Sequence, residues 1–275
     1  MKTRLRAFGL HLLLSVLVLS ALLGAIFLVW YPVPYFQANS AWDALQVVIF
    51  VDVVVGPLLT LLVYRPGKPG LKFDMVVIVL IQLVAFGYGA SILHRERPSY
   101  AVFAVDRFAV VTASQVAPGA AAAITQGPWT GPTLAFTRLP TDPQERQDFL
   151  WATLVGESPD LHLLPERYRV YGDQNDPEQR REILARSLDV DHFAAASAAH
   201  ARALEGFLAA HGGPPGDYGF LPLEGPDHDM VMVIARRDLA PVAALDVDPW
   251  VVVDAMKRAD QGASGAGPKA TQGSS

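Results

Sequence analysis

"ALQVVIFVDVVVGPLLTLLVY", residues 44–64, is an apolar run of 21 residues broken by a single charge, Asp52. A hydrocarbon core of about 30 Å is crossed by about 20 apolar residues wound as a helix. The run therefore reads as a transmembrane helix. Residues 8–30 add 23 positions without Asp, Glu, Lys or Arg, and residues 75–93 add 19 without a full charge. Three spans fill the first third of the chain.

The charges sort by region. Residues 1–95 hold seven Lys/Arg against three Asp/Glu, a balance of +4, while residues 96–275 carry −9. An acidic C-terminal part argues against nucleic-acid binding, which runs on basic patches. The chain has no cysteine, which excludes disulfides and thiolate metal sites.

Lys2, Arg4 and Arg6 precede the first span, and Arg65, Lys68 and Lys72 lie between the second and third. Loop 31–43 has neither Lys nor Arg. The positive-inside rule puts the N-terminus and loop 65–72 in the cytoplasm and everything after Arg95 outside it. Trp30, Tyr31, Tyr35, Phe36 and Trp42 crowd the outer loop, as amphipathic rings do at an interface. A cleavable signal peptide is the alternative for residues 8–30. The run is too long for a signal core of about 7–15 residues.

Beyond Pro98 the pattern is α+β. "YAVFAVDRFAVV" (100–111) reads as a hairpin turning at Asp106-Arg107. Helices are expected over 141–155, started by Thr141 or Asp142, over 175–190, started by Asp176, and over 191–210. Residues 118–132 are a Gly/Pro-marked connection, and 216–225, 228–237 and 240–250 form a three-stranded meander. The expected division is a transmembrane region over 1–95, an α+β extracytoplasmic domain over 96–256, and a disordered, Gly/Ala/Ser-rich tail over 257–275.

Chemistry is sparse. The common nucleotide, hydrolase and zinc-protease signatures are missing. "DVDHF" (189–193) and "PDHDM" (226–230) read as a helix start and a turn before they read as metal sites. "LDVDPW" (245–250) places Asp246 and Asp248 at a strand end, where bonds to backbone amides are the first expectation and a catalytic pair the second. Catalytic, cofactor and metal residues are accordingly set at none. His11 and Gln82 read as helix-to-helix contacts.

Asp52 stands apart. A carboxylate at the centre of a span costs about 3 kcal/mol on insertion scales and faces a bundle interior or a partner. Pro57 cannot donate to the carbonyl of Val53, so the helix is loosened beside it. A bond to another span such as one to Gln82, contact with a partner's helix, and ion passage all remain open. Asp74, at the start of the third span, sits near Lys72 and a helix N-terminus.

"FLVWYPVPYF" (27–36), "VDVVVGPLLTLLVYRPGK" (51–68), "LKFDMVVIVLIQLVAFGYG" (71–89), "RPSYAVFAVDRFAVV" (97–111) and "GFLPLEG…LDVDPW" (219–250) resemble the type IV pilin accessory proteins of the TfpX/TfpZ kind. The likeness covers nearly the whole chain except the tail. Segment 51–111 is the most specific and 114–215 the least. It implies an inner-membrane, multi-pass protein with a periplasmic domain. That protein would be a pilin-specific chaperone or modulator in pilus assembly, with the pilin, the lipid bilayer and the assembly machinery as partners and no cofactor. Asp52, Gly56, Pro57, Lys68, Asp74 and Gln82 fall on the family's membrane pattern. Asp106, Arg107, Asp246, Asp248, Pro249 and Trp250 fall on its outer-domain pattern. A periplasmic enzyme acting on pilin or its glycans is the alternative, and a membrane sensor is a weaker one.

Overall fold

The computed structural model describes residues 1–39, 41–116, 123–124 and 131–265, and side chains as far as 259. Residues 118–122 and 125–130 of the expected connection and the last ten residues of the expected tail lie outside the described residues. The chain divides into two compact units. One holds Met1–Ala101, Val110–Leu134 and Pro226–His228, and the other Val102–Ala109, Ala135–Gly225 and Asp229–Ser275. The boundary thus falls within the first two strands and not at one position near residue 95.

Among the described residues of the first unit, three helices are long and apolar enough to cross a membrane: α1 (Lys2–Trp30), α2 (Ala41–Val63) and α3 (Leu71–Arg95). Each starts three to six residues before its expected span. Helices α1 and α3 both pack on α2. Small residues set the spacing. A methyl group at Gly89 of α3 would lie 2.3 Å from Val48 Cγ2 of α2, so only glycine permits this approach. At the end of α1, Tyr31 donates to the Leu93 carbonyl at 2.7 Å, and Asn39 Nδ2 donates to the Glu96 carbonyl at 2.6 Å. Burial, then Glu96, raises the Tyr31 phenol above its ordinary pKa, so it stays a donor.

The strands form one seven-stranded sheet in the order β4-β3-β1-β2-β5-β6-β7. They are β1 (Pro98–Ala104), β2 (Arg107–Thr112), β3 (Thr133–Thr137), β4 (Arg169–Val170), β5 (Tyr218–Glu224), β6 (Met230–Ala235) and β7 (Pro241–Leu245). The hairpin and the meander expected from sequence are both present, but they are not separate. A parallel pairing of β2 with β5, Phe108 opposite Leu223, fuses them into one sheet. Strands β3 and β4 were not foreseen. Every residue of β6 is buried, as a central strand covered on both faces requires.

The hairpin turns at Val105-Asp106, one residue earlier than expected, with Val105 at φ 60°. Arg107 thereby becomes the first residue of β2. The backbone is left-handed at a β-branched residue, an uncommon and strained choice.

Among the described residues, five α-helices accompany the sheet: α4 (Pro143–Leu154), α5 (Pro177–Ala185), α6 (Val190–Ala196), α7 (Ala198–His211) and α8 (Pro249–Gly265). Asp142, Asp176 and Asp189 each accept a backbone N–H at a helix start. The single helix expected over 191–210 is two. Ser197 is extended, and its Oγ accepts the N–H groups of Ala199 and His200, which starts α7 afresh. Strand β7 ends at Leu245, and 246–248 lead into α8, so "LDVDPW" is a strand-to-helix connection and not a strand. Helix α8 continues through residues 257–265, where composition suggested disorder. Phe193, Phe207 and Phe220 meet Val231, Val233 and Val252 in the core between the helices and the sheet.

Candidate functional site

Asp52 is the central residue of α2, with eleven residues on either side. It is 6 % exposed. Around it the helix widens. Residues Phe50–Val55 form a π-helical stretch in which Gly56 N–H donates five residues back to Val51. Pro57 follows, and a proline has no N–H to give, so the ladder re-forms in a wider ring just ahead of it. This is the loosening that the sequence led one to expect.

Gly56 then admits a side chain from α3. Gln82 Nε2 comes to 3.5 Å from the Asp52 backbone carbonyl. A Cβ at Gly56 would sit 1.9 Å from that nitrogen. One turn further along α2, Thr60 Oγ1 lies 2.5 Å from His11 Nδ1 of α1. Thr60 is buried. Asp52, Gln82, Thr60 and His11 therefore form a polar floor drawn from all three spans. Nothing in the sequence singled out Thr60, because a threonine in an apolar helix is ordinary.

The floor opens into a trough of about 370 Å³. One wall is a single face of α1, with Leu10, Leu14 and Val18 at helical spacing, and the other is a face of α3, with Met75, Val79 and Leu83. Apolar walls over a polar floor suit an apolar helix that brings a hydrogen-bonding group of its own. Asp74 lies elsewhere. It pairs at 2.5 Å with Lys68, rather than with Lys72, at the start of α3.

A second constellation lies in the sheet unit. Arg107 grips Asp106 with Nε at 2.8 Å and Nη2 at 3.3 Å, and Nη1 reaches Glu224 at 3.2 Å. Its guanidinium stands 4.3 Å from the centre of the Trp250 ring. Trp250 Nε1 donates to Asp229 Oδ2 at 2.6 Å. Burial opposes the Arg107 charge, but Asp106 and Glu224 outweigh it and hold its pKa above the ordinary value. Trp250, far in sequence from Asp106-Arg107, is thus brought to them, with Glu224 and Asp229 added. Asp248 accepts from the Trp250 N–H at 2.9 Å, and its carbonyl lies 2.9 Å from His200 Nε2. Asp246 is exposed. These contacts clamp the start of α8 to the sheet. Asp189 accepts from the N–H and Nδ1 of His192, so "DVDHF" is a helix start.

His162 belongs to the same neighbourhood. Burial lowers its pKa against the smaller upward pulls of Asp160 and Glu224, and Arg107 adds the smallest effect, also downward. A histidine whose folded pKa is depressed takes up its proton more readily when unfolded. Its contribution is therefore lost as pH falls through the unfolded value of about 6.5. We expect His162→Leu to flatten the stability profile between about pH 7 and 5. Thermal unfolding of the two proteins across that range measures it, and parallel profiles would refute it.

Residues 1–39 match the family model described as fimbrial assembly protein FimB. The fimbrial assembly protein of serogroups C1 and C2 of Dichelobacter nodosus is 37 % identical over 111 residues, 39 % of this chain and 84 % of that relative. The chain belongs to the fimbrial assembly protein family. Two further relatives from Dichelobacter nodosus, of serogroups I and E1, are each 35 % identical over 147 residues, 51 % of this chain. The matched region spans 57 % of their length, less than two thirds. No solved structure matches the chain. The family name agrees with the likeness read from the membrane segments, and the family-model match falls on α1, which contributes His11 to the trough.

Proposed function

We propose that the chain is a non-enzymatic, inner-membrane accessory protein that holds the fimbrial subunit, a type IV pilin, before or during its assembly. The observation that carries this reading is the trough: three spans enclose apolar walls over a polar floor that begins at mid-helix with Asp52 and Gln82. Left to lipid, such a floor costs free energy, because hydrocarbon offers no hydrogen-bond partner. A subunit helix entering the trough would relieve that cost. On this reading Asp52 and Gln82 contact the visiting helix, Gly56 and Pro57 shape the floor, and the sheet unit lies on the periplasmic side with the subunit's head. The charge clusters before α1 and before α3 support that orientation.

The carboxylates do not favour the enzymatic alternative. Asp106, Glu224 and Asp229 are engaged by Arg107 and Trp250, and Asp248 is engaged at a helix start. Deletion in a fimbriated cell tests the proposal. Surface fimbriae should fall, with the subunit either degraded or stalled in the membrane. Unchanged fimbriae and subunit would refute it. Normal fimbriae lacking a covalent modification of the subunit would favour the enzyme instead.

A further inference from the structure

Helix α4 buries none of its residues. It is held from one side: Arg167 stacks 5.2 Å from the centre of the Phe149 ring, and Arg146 donates to the carbonyls of Pro140 and Thr141. Another side is open. Leu150 is 49 % exposed, Trp151 64 % and Leu154 77 %. At 100° per residue these three share with Pro143 and Gln147 a stripe about 100° wide, and that stripe carries no charge. Arg146 and Asp148 flank it.

Leu150, Trp151 and Leu154 thus put two leucines and an indole, a ring that favours the membrane interface, on one uncharged and exposed stripe. A bilayer is necessarily at hand, because the same chain has three membrane spans. The tether is short. Two residues, Glu96 and Arg97, separate α3 from β1, a reach of about 10 Å. We propose that α4 is a second, peripheral membrane anchor. It lies in the headgroup boundary with Leu150, Trp151 and Leu154 towards the acyl chains, and fixes the sheet unit against the membrane. This does not depend on the fimbrial role.

The native chain has no cysteine, so single labels can be introduced cleanly. The full-length protein carrying a nitroxide at Leu154→Cys, at Leu150→Cys or, as a solvent-facing reference, at Glu205→Cys is reconstituted into vesicles of phosphatidylethanolamine and phosphatidylglycerol. Collision rates with oxygen, which partitions into lipid, and with a water-soluble nickel chelate are measured by power saturation. The oxygen-to-nickel ratio at residues 150 and 154 should exceed that at 205 by roughly threefold or more. Equal ratios at all three sites would overturn the proposal. So would protection of 150 and 154 that arises only when the fimbrial subunit is added, or only at a protein density that drives self-association. The first would assign the stripe to the subunit, the second to another copy.

Discussion

Gly56→Leu should empty the cell surface of fimbriae while leaving the protein in the membrane. The added side chain must occupy the place of the Gln82 amide, which lies 1.9 Å from where its Cβ would be. Gln82 is flexible and can swing away, so the bundle survives. What is lost is the amide over the Asp52 carbonyl and much of the trough beside it. Overpacking of this kind costs about 1–3 kcal/mol, and the same loss in the engagement of a visiting helix is about 5- to 150-fold. Gln82→Ala removes the same amide without filling the space, so its loss should be milder, and Gly56→Ala with Gln82→Ala should be no worse than Gln82→Ala alone. Electron microscopy of shed and attached fimbriae, with the membrane level of each variant, measures the series. Normal fimbriation in Gly56→Leu would mean that the polar floor has no part in assembly.

The second large effect belongs to Trp250. Truncation to alanine removes a ring from over Arg107 and a donor from Asp229. Full burial of such a ring is worth about 3–5 kcal/mol, and this one is half-buried, so about 2 kcal/mol is expected. Trp250→Phe keeps a ring for the guanidinium but leaves Asp229 without its donor, and should cost about 1 kcal/mol. Chemical denaturation of the full chain in micelles, followed by a probe of the sheet, separates the two. If Phe and Ala are equal, the hydrogen bond and not the ring carries the clamp.

Much of the membrane part was legible because apolar length is a direct consequence of bilayer thickness. Asp52 and Pro57 announced a weak point in α2, and the π-helical turn is how the backbone resolves it. The partner at Thr60 was not legible, since pairing across helices leaves no periodic trace. In the sheet unit, the strands β5, β6 and β7 were visible one by one. Their union with β1 and β2 was not, because Phe108 and Leu223 meet across more than a hundred residues and a parallel pairing has no turn to mark it. Likewise Arg107 and Trp250 were each noticed, but only the fold could place one over the other. Ser197 was overlooked as a break because its neighbours are nearly all alanine, which favours continuing a helix.

The central claim is that the trough receives the subunit's apolar helix. Photo-crosslinking in native membranes addresses it most directly, with a photoreactive residue at Leu14 or Val79, on the trough walls, or at Leu17 or Ile81, exposed and away from it. The account predicts adducts with the fimbrial subunit from positions 14 and 79, strongly reduced in Gly56→Leu, and little from 17 and 81. Equal adducts from all four positions, or none from the trough in a fimbriated cell, would contradict it.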